Sequence, residues 1–89
     1  MQQEKIVESM RQVDFSDLRF PLIVVYKNPR DYPDAYVAGI WEGARSLPTN
    51  TIIKRETLQE IRKDIKAAGF TIRIAPKAGE DPVIVETWI

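Results

Sequence analysis

The chain has neither cysteine nor histidine, and the two absences remove much of the chemistry a small protein can carry. Without cysteine there is no disulfide, no thiolate nucleophile and no cysteine-ligated zinc or iron–sulfur site. Without histidine the usual general base, the commonest transition-metal ligand and the Ser-His and Cys-His pairings are also gone. An excess of charge of one sign is missing too: thirteen basic and thirteen acidic side chains cancel, so no global field draws the chain to nucleic acid or an anionic membrane. No apolar run approaches the roughly 20 residues that cross a bilayer, and the opening MQQEKIVESM lacks the charged-then-apolar order of a signal peptide. We therefore expect a cytoplasmic protein without contact to membranes. No Gly-rich phosphate loop, nucleophile elbow or metal motif is present, so no cofactor is expected. An enzyme would have to work through Asp, Glu, Lys or Tyr alone, and a non-catalytic role is the expectation.

What remains is 89 residues of ordinary globular composition. A chain this short buries only roughly 60–65% of the surface its unfolded form exposes, so it makes a single domain, residues 1–89, around one core. The clearest local signal is KRETLQEIRKDIKAAG, residues 54–69. Thr57 with Glu60 three residues later predicts a capping box, Leu58, Ile61, Ile65 and Ala68 recur at helical spacing, and Gly69 suits the left-handed conformation that ends a helix. This predicts a main helix over 57–68. Ile6, Met10 and Val13, with Val7 beside them, predict a second, short amphipathic helix over 3–13.

FPLIVVYK, residues 20–27, is apolar on both alternating faces and reads as a central strand covered above and below. YVAGIWE (36–42) reads as its hairpin partner, GARSLPTN (43–50) as a loop, and TIIK (51–54) as a third strand running into the helix. After Gly69, FTIRIA and PVIVETWI complete an antiparallel sheet of about five strands in an α+β fold, order α-β-β-β-α-β-β, with the main helix on one face. The N-terminal helix is one candidate cover for the other face.

Along the last strand Ile84, Glu86 and Trp88 share one side, opposite Val83, Val85 and Ile89. With the second set in the core, the first becomes a mixed face carrying an indole, and Trp41 is grouped with it as a candidate contact residue. Replacing Trp88 by alanine should then remove a partner while the protein stays folded. The loop YKNPRDYPDAY, residues 26–36, adds Arg30 and Tyr32 as candidate contacts, although two prolines and the tyrosines also suit a stiff hairpin connection. Asp31 with Asp34, and Glu80 with Asp81, lack a third ligand at a metal-binding spacing, and turn chemistry accounts for both pairs.

Residues 51–79 contain seven basic and three acidic side chains. Lys54, Arg55, Arg62, Lys63 and Lys66 are therefore the candidate contacts of an alternative reading, nucleic-acid binding through segment 54–77. Interleaved Glu60 and Asp64 make i,i+4 charge pairing on a solvated helix face the simpler account.

YVA at Tyr36–Ala38 and ETLQEI at Glu56–Ile61, with the order hairpin, third strand, helix over residues 20–68, resemble the core of HicB-type antitoxins. The proline-glycine-cysteine segment of that family is replaced by GARSLPTN, and its C-terminal DNA-binding extension is missing. The resemblance implies a three-strand-plus-helix core and a protein-binding role. Together these readings predict a non-catalytic interaction module, a homodimer or a small bacterial or phage inhibitor-type protein, binding through a sheet edge or an exposed sheet face.

Overall fold

The main helix forms where its capping residues put it. In the computed structural model, which describes residues 5–89, α1 spans Leu58–Ala67. Thr57, in extended conformation, accepts the Glu60 N–H through its hydroxyl oxygen at 3.2 Å and donates its own proton to the Glu60 carboxylate at 2.9 Å. At the other end Gly69 takes φ +97°, its N–H reaches the Lys66 carbonyl at 3.0 Å, and the Phe70 N–H reaches the Ile65 carbonyl at 3.3 Å. These two bonds make a Schellman stop, and its usual apolar contact is present because Phe70 and Ile65 share the core. Thr57→Ala is expected to lower stability by about 1 kcal/mol, read as a lower urea midpoint at unchanged slope.

The strands are β1 (Lys5–Val7), β2 (Pro21–Lys27), β3 (Tyr36–Glu42), β4 (Leu47–Arg55), β5 (Arg73–Ile74) and β6 (Ile84–Trp88). They form a single six-stranded sheet in the order β1-β4-β3-β2-β6-β5. Every pairing is antiparallel except that of β1 with β4, so the sheet is mixed rather than purely antiparallel. The α+β class and the hairpin β2–β3 are as the sequence predicts, and β2 is central.

Four expectations are corrected. The N-terminal helix is absent over residues 5–13, residues 3 and 4 lying outside the described residues: the chain instead forms β1 and one 3-10 turn at Met10–Gln12. An extended β1 occupies the edge of β4, whose backbone groups would otherwise be unpaired, and still delivers Val7 and Met10 to the core. The loop 43–50 shrinks to a turn, because β4 already starts at Leu47 and continues the hairpin. FTIRIA yields only the two-residue β5, and residues 71–82 are all exposed. The sixth strand, β1, comes from the segment read as helix.

The core lies between α1 and one face of the sheet. Ile23, Val25, Ala38, Ile40 and Ile53 from the sheet meet Ile61 and Ile65 from α1, with Val7, Met10, Phe70 and Trp88 closing the margins. Phe15, in the segment after the 3-10 turn, rests against Phe70 with ring centroids 5.4 Å apart. Among the described residues no helix is long and apolar enough to cross a membrane.

Candidate protein-contact face

The alternation of β2 decides what lies on the side of the sheet away from α1. Ile23 and Val25 point into the core, so Leu22, Val24 and Tyr26 point the other way, and pairing extends that side across the molecule. Register partners run Ile6–Ile52–Gly39–Val24–Thr87–Ile74, one residue from each of the six strands in spatial order. The flanking row sets Lys54 beside Val37, Tyr26 and Ile84, and on the other flank Pro48 pairs Trp41, which pairs Leu22. The only α-helix among the described residues lies on the opposite face. β2 is therefore apolar on both faces, as its sequence shows, but covered on one.

The face shields itself only in part. Trp41 donates its indole N–H to the Tyr26 hydroxyl at 3.2 Å. Both rings lean over Gly39, where a Cβ would come within 3.4 Å of Tyr26 and 3.7 Å of Trp41. Burial raises the Tyr26 phenol above its ordinary pKa; the Trp41 hydrogen bond opposes this, and Asp81 adds to it. Under this aromatic bridge Val24, Val37 and Ile52 are buried, whereas Ile6 is 50% and Ile74 41% exposed at the two ends of the row, with Ile72 56% exposed next to Ile74. Beside the bridge, Pro29, Asp31 and Tyr32 of the β2–β3 loop curl toward Pro48 and Thr49 and leave a shallow hollow of about 220 Å³ floored by Val37 and Ile52.

The two tryptophans stand on opposite faces. Trp88 pairs Ile23, Glu86 pairs Val25, and both point under α1, with exposures of 3% and 2%. The mixed face predicted for the last strand is thus part of the core. A β-bulge at Val25/Tyr26 reverses the expected parity: Ile84 pairs Tyr26 on the open face while Val85 packs against the core. The sequence grouping of Trp41, Ile84, Glu86 and Trp88 is corrected accordingly. Trp41 and Ile84 belong to the open face, and Glu86 and Trp88 to the interior. Of the loop candidates, Tyr32 lines the hollow with the Lys54 ammonium 5.0 Å above its ring, and Arg30 is exposed.

Glu86 is the buried polar side chain of this core. Arg62 of α1 grips it with two hydrogen bonds, Nε at 3.2 Å and Nη2 at 2.8 Å, and the Trp88 indole N–H donates to it at 2.6 Å. Burial pushes the carboxyl up, but the Arg62 and Trp88 hydrogen bonds, with the charges of Arg62 and Arg73, hold it below its ordinary value. Helix and sheet are therefore locked by a charge pair, whereas the sequence places Arg62 on a solvated helix face and Glu86 on a mixed sheet face.

The basic candidates do not gather. Lys54 lies on the open face, while Arg62, Lys63 and Lys66 are on α1 on the other side, with Lys66 5.9 Å over the Trp88 ring. Arg62 is spent on Glu86, and Arg55 forms an ion pair with Asp64, Nε to Oδ2 2.8 Å without hydrogen-bond alignment, and donates to the Glu8 and Lys54 carbonyls. Asp81 accepts the Val83 N–H at 3.1 Å, as turn chemistry requires. No group of three or more potential metal ligands is present among the described residues. The open face carried a sequence signal in the two-sided apolarity of β2 and in Gly39 between aromatics; its extension over β1 and β5 did not, because β1 was read as helix.

No protein-family model matches the chain, and no curated protein or solved structure matches it either.

Proposed function

We propose that the protein is a non-catalytic interaction module that binds another protein through the face of the sheet opposite α1. The observation that carries this reading is the row Ile6–Ile52–Gly39–Val24–Thr87–Ile74, which crosses all six strands without an ionised side chain. Water against its exposed ends, Ile6 and Ile74, is costly, and apolar surface rimmed by polar groups marks contact sites on small proteins. Aromatic side chains at its centre strengthen the reading, because tyrosine and tryptophan dominate the energetics of interface cores. Tyr26 and Trp41 are held by their mutual hydrogen bond, so little side-chain freedom is lost when a partner covers them. The hairpin, third strand and helix over residues 20–68 follow the order that the resemblance to HicB-type cores implies, which also favours a protein partner. The alternative, nucleic-acid binding through segment 54–77, is weakened by the division of its cations between two faces and their pairing with Asp64 and Glu86.

Lysine at both ends of the row, Ile6→Lys with Ile74→Lys, tests the reading. Both positions are substantially exposed, so the variant should unfold within a few degrees of the parent protein. It should lose the association that the parent protein shows in sedimentation or in capture of a partner. Identical association of variant and parent would overturn the reading.

A further inference from the structure

We infer that the occupant of the open face is a second copy of this chain, seated face to face so that two sheets close into a sandwich with a helix on each outside. The inference rests on the reading of the open face as a contact surface and names what covers it.

Three features select a second copy. The first is charge. The six-residue row is neutral and the chain carries no net charge, so two copies approach without repulsion, and nothing on the row calls for a partner of either sign. The second is area. Six strands of two to nine residues, about 4.8 Å apart, give the face a footprint of roughly 500 Å², so two copies together cover about the 1,000 Å² at which specific interfaces begin.

The third is shape. Two twisted sheets pack face to face about 10 Å apart with strand directions within about 30°. A two-fold axis lying in the interface makes the contact isologous and closed. The exposed isoleucines stand at both ends of one row, on the edge strands β1 and β5. An axis through the middle of the face that runs along the row, or at right angles to it, sets them against the same row of the partner copy. Exposed apolar groups at both margins and an aromatic bridge at the centre are what one continuous core cut in half leaves on each part.

The test uses the purified chain alone. Sedimentation equilibrium is expected to give twice the 10.2 kDa of the chain. Iodide quenching reports Trp41, because Trp88 is enclosed; Trp41 should be shielded in the dimer and become quenchable on dilution. Ile6→Lys with Ile74→Lys should weaken the dimer about 100-fold through lost apolar burial and repulsion between copies. Mixing that variant with one carrying Ile6→Glu and Ile74→Glu should restore a mixed dimer. A monomeric parent protein at all concentrations, whose Lys variant nonetheless loses a captured partner, overturns this inference and leaves the contact-face reading intact. A dimer indifferent to both charged variants overturns both.

Discussion

Trp88→Ala should lower the thermal midpoint sharply, whereas Trp41→Ala should unfold close to the parent protein and be impaired mainly in association. Trp88 is 3% exposed, packs in the cluster of Ile23, Ile61 and Ile65, and donates its indole N–H to Glu86. Truncating a buried tryptophan costs about 3–5 kcal/mol through lost burial and the cavity left behind, and here the Glu86 carboxylate also loses a donor. A domain of this size has a total stability of roughly 5–13 kcal/mol, so the substitution removes a large fraction of it. Trp41 is half-buried on the open face and forms one side-chain hydrogen bond, with Tyr26. Its removal should cost about 1–2 kcal/mol. Thermal unfolding followed by far-UV circular dichroism separates the two outcomes, and similar midpoints would contradict the placement of the tryptophans on opposite faces.

Glu86→Gln should destabilise the fold by about 2–3 kcal/mol at neutral pH and make its acid unfolding shallower. The amide keeps the shape but gives up the charge that Arg62 and the Trp88 indole N–H are arranged around, and charged hydrogen bonds of this kind are worth about 1.5–3 kcal/mol. The Arg62 side chain is about one-third exposed and can regain water, so the loss stays below that of a fully buried pair. The folded-state pKa of Glu86 is lowered, so its ionisation contributes stability that is present above the unfolded carboxylate range and is lost as pH falls through the lower folded value. Urea midpoints measured from neutral to acidic pH should therefore fall more steeply for the parent protein than for the variant. Replacing both partners by apolar residues, Arg62→Met with Glu86→Leu, should recover most of the loss, because neither charge is then left alone in the interior. A Glu86→Gln protein as stable as the parent, with the same acid slope, would show that the pair does not lock helix to sheet.

How far the sequence could be read follows from the range of the interactions involved. Thr57, Glu60 and Gly69 act within one helical turn, and the helix they bound is where their spacing puts it. The β2–β3 hairpin was legible for the same reason, since apolar runs and a short proline-containing connection are local features. Residues 5–13 were not, because Ile6, Met10 and Val13 fit a helical stripe as well as they fit a strand followed by a 3-10 turn. The free edge of β4, some 45 positions away in the chain, makes the strand preferable.

The open face and the last strand show the same division. Two-sided apolarity marked β2 as central, and this held; whether both sides would be covered depended on how many covering elements the rest of the chain supplies, and the described residues supply one helix. The single side expected for Ile84, Glu86 and Trp88 does not hold: Glu86 and Trp88 point into the core and Ile84 stands on the open face. A single bulge against Val25 breaks the period of two, and the Arg62 guanidinium makes a buried glutamate tolerable. Local order therefore came from the sequence alone: the helix with its caps, the hairpin and the lack of thiol and imidazole groups. Tertiary structure decided register, bulge, the pairing of Arg62 with Glu86 and the uncovered face. Those depend on contacts between residues far apart in the chain, whose free energies no window of neighbouring residues contains.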